Sequence, residues 1–131
     1  MKKYLLDTCA LIWYLEGSKR VKSIAEKIEY YDGDFAISVE SLREIIHKIQ
    51  IGKLEIDIPF MELVDMLKER GISIMGMELN ALNKLYNLPI YKGHKDPSDR
   101  LIISQAILYK RTLITGDEKF YQYDDLELLQ V

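Results

Sequence analysis

The chain has 131 residues, enough for one compact domain, and its 48% apolar and 30% charged composition excludes a disordered polypeptide. Eighteen basic residues against 21 acidic ones leave a formal net charge of −3, so any grip on nucleic acid must come from local basic patches rather than the overall field. No apolar run approaches the length of a membrane span, and nothing repeats at a fixed period.

Tyr4-Leu5-Leu6 is a short apolar run ending at Asp7 and reads as a buried strand. Met1-Lys2-Lys3 before it has the faint look of a signal peptide, but Asp7 interrupts the run and no small-residue cleavage site follows. The expectation is a cytoplasmic protein. Ala10 to Leu15 reads as a helix ended near Gly17, and Val21 to Ile28 as a second, with Asp32-Gly33 as a turn. Phe35-Ala36-Ile37 is the second strand. Ser38 suits a helix N-cap, and Val39, Leu42, Ile45, Ile46 and Ile49 follow at helical spacing up to Gly52. Pro59 opens a helix that Gly71 closes. Ile72 to Met75 is a third strand, Glu78 to Tyr86 a helix, and Leu88 to Lys95 a loop. Asp96-Pro97 opens another helix, aspartate as cap and proline first inside, running to about Lys110. Thr112 to Thr115 is a strand, Gly116-Asp117 a turn, Glu118 to Tyr121 a short helical turn, and Leu126 to Leu129 the last strand. Strands alternating with helices, with no linker, predict one domain over 1–131: a mostly parallel sheet of four or five strands covered by helices on both faces.

The carboxylates carry the chemistry. Asp7 follows the first strand, Glu40 and Glu44 lie in the first turns after the second, and Asp117 follows the strand Thr112–Thr115. In a parallel sheet the carboxyl ends of the strands share one edge, where ligands bind. Asp99 starts the series Asp99, Ile102, Ile103, Ala106, which shares one apolar helix face and points the acid inward. Each acid also has an ordinary reading. Asp7 and Asp96 suit helix caps, Glu40 and Glu44 a solvated face opposite the apolar stripe, and Asp117 a turn. His94 reads as a loop residue or a satisfied polar group, and Trp13 as core or interface rather than a stacking platform. Together the acids are harder to dismiss. At about 4 Å and an effective dielectric near 20, each like-charged pair costs on the order of 4 kcal/mol. A fold keeps such a cluster for a cation, or raises some of the pKa values. Oxygen ligands suit Mg²⁺ or Mn²⁺. Cys9 is the only cysteine and His47 and His94 the only histidines, which argues against a closed zinc site. No Ser-His-Asp set, phosphate-binding loop or dinucleotide fingerprint is present. Hydrolysis by metal-activated water is the economical reading.

Four stretches carry a resemblance: Leu5-Leu6-Asp7-Thr8, Ser38-Val39-Glu40-Ser41-Leu42-Arg43-Glu44-Ile45, His94-Lys95-Asp96-Pro97-Ser98-Asp99-Arg100-Leu101-Ile102, and Leu113-Ile114-Thr115-Gly116-Asp117. In this order, along essentially the whole chain, they resemble the PIN-domain ribonucleases, most of all the VapC-like toxins of toxin–antitoxin pairs. The resemblance implies a three-layer α/β/α sandwich and a site of Asp7, Glu44, Asp99 and Asp117 holding Mg²⁺ or Mn²⁺. It selects Glu44 over Glu40. It gives Thr8, Thr115 and Asp96 supporting places. It implies an RNA endonuclease acting on single strands such as those of tRNA or rRNA, a homodimer, and a small antitoxin that blocks the site. Arg43, Lys92, Lys95 and Arg100 are candidates for phosphate contacts. Gly116 stands where many relatives carry a larger residue. Two rivals are a receiver-like Mg²⁺-binding module and an inactive relative that only binds protein or RNA. Receivers need adjacent acids after the first strand, where this chain has Asp7-Thr8-Cys9.

Overall fold

A computed structural model describes the backbone of residues 1–131 and every side chain except those of Lys119 and Tyr121. Strand β1 (Lys3–Leu6) leads into α1 (Thr8–Leu15), a 3-10 turn (Lys19–Val21) and α2 (Lys22–Glu29). Then come β2 (Asp34–Ser38), α3 (Val39–Gln50), α4 (Phe60–Glu69), β3 (Ile72–Met75), α5 (Leu79–Tyr86) and α6 (Pro97–Leu108). The chain finishes with β4 (Thr112–Thr115), a 3-10 turn (Glu118–Gln122) and β5 (Leu128–Gln130). The sheet order is β3-β2-β1-β4-β5, and every neighbouring pair is parallel.

Period-two alternation sorts the strand residues between two cores. Leu6, Ile37 and Ile114 stand in register and pack under α1 to α4 with Leu11, Ile24, Ile45 and Leu67. Leu5, Ala36 and Leu113 face the other way, onto Ile102, Ile103 and Ala106 of α6 and onto Phe120. Helix α5 packs on α6. The result is the expected three-layer α/β/α sandwich, and its doubly buried strands read as apolar runs for that reason. Among the described residues no helix is long and apolar enough to cross a membrane.

Three boundaries differ from the sequence expectation by two residues, and several others by one. Helix α1 starts at Thr8 because the Asp7 carboxylate caps it, accepting from the Ala10 N–H at 2.8 Å. Helix α6 ends at Leu108, two residues early, because Lys110 takes a left-handed φ of 53°. Strand β5 lies two residues later than the Leu126 start, since the Leu126 N–H bonds the Tyr123 carbonyl in a turn.

The topology positions the chemistry. From β1 the chain winds outward through β2 to β3, then crosses back to place β4 on the opposite side of β1. The winding direction reverses between β1 and β4, and a crevice opens beyond their carboxyl ends.

Candidate functional site

The carboxylates of Asp7, Glu44, Asp99 and Asp117 line one open cleft of about 390 Å³ at that crevice. Asp7 ends β1 and Asp117 follows β4, so the parallel register brings their backbones together, with the Asp7 N–H bonding the Ile114 carbonyl at 3.0 Å. The first turn of α6 supplies Asp99. Its N-cap is Asp96, whose carboxylate accepts from the Asp99 N–H at 2.9 Å with Pro97 behind it. Asp96 is exposed and acts as the expected cap.

Hydroxyls hold the acids. Thr8 Oγ1 donates to Glu44 Oε1 at 2.5 Å and lies 3.0 Å from the Ser41 hydroxyl, and Ser98 Oγ also donates to Glu44 Oε1. Thr115 is fully buried; its hydroxyl donates to Asp7 and accepts from the Asp117 N–H at 3.0 Å. One side chain thus ties together the acids of β1 and β4. Glu44 departs from the solvated-face reading that helical periodicity supports. Helix α3 packs against both α1 and α6, so its covered surface is wider than one apolar stripe. Glu40 is spoken for elsewhere: it is nearly buried and pairs with Arg43, whose Nη2 lies 2.5 Å from Oε1.

The electrostatics follow from crowding. Burial pushes the Asp7 carboxyl from 3.8 up to about 6, and the charges of Asp117 and Glu44 add to the rise against hydrogen bonds from Thr115 and Ala10. Burial, then the charges of Asp96, Glu44, Asp7 and Asp117, carries Asp99 up to about 7. Among the described residues no ion pair neutralises Asp7, Glu44 or Asp99. A donor set of this kind fits a small divalent cation.

His94 joins the cluster, which its sequence reading as a loop residue did not foresee. The ring is buried, edge-on to Phe120 and Tyr123, with Nδ1 at 2.7 Å from the Tyr123 hydroxyl. One of its nitrogens and carboxylate oxygens of Asp99 and Asp117 lie within 4.8 Å of one another. The only advance signal was its position five residues before Asp99.

The basic candidates separate. Lys92 and Lys95 are exposed on the loop before α6, and Arg43 is exposed but engaged by Glu40. Arg100 is buried, and its guanidinium donates to the carbonyls of Pro89 at 2.8 Å and Leu88 at 3.1 Å. Those bonds pin the loop, which spends the donors that a phosphate would need. The cations that line the acidic cleft are Arg20 and Lys48.

Gly116 has a spatial reason. A Cβ there would lie 2.3 Å from Cη2 of Trp13 and 2.6 Å from Cζ3. The indole therefore covers the turn that presents Asp117. Gly116→Ala is expected to destabilise the fold by about 1–3 kcal/mol through overpacking. In a Trp13→Ala background the same change is expected to cost almost nothing. Urea denaturation of the four proteins measures this, and equal costs in both backgrounds would refute the contact.

Comparison with known proteins gives a consistent picture. The family model of the PIN domain matches residues 4–126. Among solved structures, VapBC2 from Rickettsia felis bound to a promoter DNA fragment is similar at 20% identity and TM-score 0.71, over 97% of each chain. DNA-bound VapBC from Salmonella typhimurium is similar at 15% identity and TM-score 0.72, over 99% of this chain and 98% of that one. VapBC-1 from nontypeable Haemophilus influenzae is similar at 22% identity and TM-score 0.67, over 97% and 96%. No curated protein sequence matches.

Proposed function

Since the chain belongs to the PIN-domain family, we propose that it is a divalent-metal-dependent RNA endonuclease and the toxin of a toxin–antitoxin pair. The observation that carries this reading is the convergence of four carboxylates, from β1, α3, α6 and the turn after β4, on one cleft. Asp7, Glu44, Asp99 and Asp117 would hold Mg²⁺ or Mn²⁺, with His94 beside Asp99 and Asp117 as a further donor within reach. Bound there, the ion supplies positive charge against the phosphodiester and makes water more acidic.

The chain's own residues do the rest. Thr8 and Ser98 fix one oxygen of Glu44, leaving its other oxygen to act in the cleft. Thr115 sets the separation of Asp7 and Asp117. Burial and its acidic neighbours hold the metal-free Asp99 carboxyl up to about 7, a crowding that a divalent cation bound there would relieve. The complete acid set supports an active enzyme over a binding-only relative.

Partners follow the same reading. Solved structures that share the fold along nearly the whole chain include VapBC assemblies and a toxin–antitoxin complex from Klebsiella pneumoniae, which supports a small antitoxin partner. A second copy of the chain, single-stranded regions of tRNA or rRNA as substrate, and a cytoplasmic setting complete the proposal. The test is direct. Purified protein is incubated with structured RNA in Mg²⁺, in Mn²⁺ and in EDTA. Internal cleavage is expected with either metal and none with EDTA; intact RNA under all three conditions would overturn the nuclease reading.

A further inference from the structure

Two cations line the cleft beside the four acids. Arg20 and Lys48 both border it; among the described residues no side-chain carboxylate forms an ion pair with either within 4.0 Å, and Arg20 bonds an oxygen of Val131. Lys48 sits one helical turn beyond Glu44 on α3 and also lines a second groove of about 350 Å³ with His47 and Lys53. Arg20 lies in the 3-10 turn after α1, beside Trp13.

Arg20 is held in place rather than waving in solvent. Its guanidinium carbon lies 3.8 Å from the centroid of the Trp13 ring, and its Nη2 donates to the main-chain oxygen of Val131 at 3.0 Å. Trp13 is fixed in turn by its close approach to Gly116. A guanidinium stacked on an indole loses less freedom when it binds an anion than a free side chain does. It also keeps donors in one plane, the geometry that matches phosphate oxygens.

We propose that single-stranded RNA bound at the carboxylate cluster rests backbone phosphates on two cationic seats that line the same cleft, Arg20 stacked on Trp13 and Lys48 on α3. The idea rests on the nuclease reading and deepens it by assigning the substrate's path. The acids repel a polyanion, so a strand needs compensating positive charge beside the cluster. The seats read no base, and so suit a strand held by its backbone.

The test uses the full chain carrying Asp7→Asn, in Mg²⁺, with a short fluorescein-labelled single-stranded RNA followed by anisotropy over a series of salt concentrations. Arg20→Ala and Lys48→Ala are each expected to weaken binding and to flatten the log K against log salt line by about 0.7. Arg20→Lys is expected to keep that slope. Trp13 is the only tryptophan, so its fluorescence reports on the stack. A change on RNA binding is expected with Arg20 and is expected to be lost in Arg20→Lys. Lys27→Ala, at a residue already paired with Asp32, serves as the control and is expected to change nothing. Unchanged slopes in Arg20→Ala and Lys48→Ala, with wild-type protein still cleaving RNA, would overturn this proposal alone. Wild-type protein that neither cleaves nor binds RNA would overturn the nuclease reading first.

Discussion

Asp7→Asn is expected to lower the single-turnover rate of RNA cleavage at least about 10³-fold while leaving the fold in place. Asparagine caps helices about as well as aspartate, so the bond to the Ala10 N–H and the start of α1 survive. What disappears is a charge, at a residue 4% exposed whose carboxyl is already pushed up to about 6 by burial. Removing it also relieves repulsion from Asp117 and Glu44, so the metal-free variant is expected to melt above the metal-free wild type. Circular dichroism separates the two effects. A variant that is folded and fully active would take Asp7 out of the chemistry.

The second large effect is in the coupling of metal, protons and stability. Asp7 and Asp99 titrate near 6 and 7 in the folded chain, above their ordinary 3.8. Between those limits the native state binds more protons than the unfolded state, so metal-free stability is greatest at low pH and falls as pH rises from about 4 to about 7. The loss is on the order of 3 kcal/mol for Asp7 alone; the part-exposed Asp99 adds a contribution reduced by solvent screening. A divalent ion reverses the trend, because it displaces those protons. Added Mn²⁺ is therefore expected to raise Tm little at about pH 5 and strongly at about pH 8. Calorimetry in buffers of different ionisation heat should show proton release on binding. A Mn²⁺ shift equal at both pH values would contradict this account.

The layered sheet was readable because doubly buried strands such as Tyr4-Leu5-Leu6 and Thr112 to Thr115 leave little but apolar residues, each followed by an acid or its turn. Asp99 was readable because its helix has a regular stripe, and Asp96-Pro97 because cap and first-turn proline are local chemistry. Glu44 was not, since single-helix periodicity cannot register that α3 is covered by two neighbours. Arg100 misled because a charged side chain is ordinarily solvated; its burial depends on carbonyls of Leu88 and Pro89, twelve and eleven residues earlier. Trp13 and Gly116 meet only in three dimensions, across about a hundred positions of sequence. Nothing local in either residue announces the other, or the arginine laid on the ring.

The pairing of β1 with β4 makes assembly of the acidic cleft depend on contacts across most of the sequence. Lys3–Leu6 precedes its partner Thr112–Thr115 by about a hundred positions, and Asp117 comes after that. A nascent chain lacking β4 has no Thr115 to hold Asp7 and no fourth acid, whatever its helices have already formed. The four-acid cleft thus closes in one step of high contact order, when the segment carrying β4 folds back across a long loop onto β1.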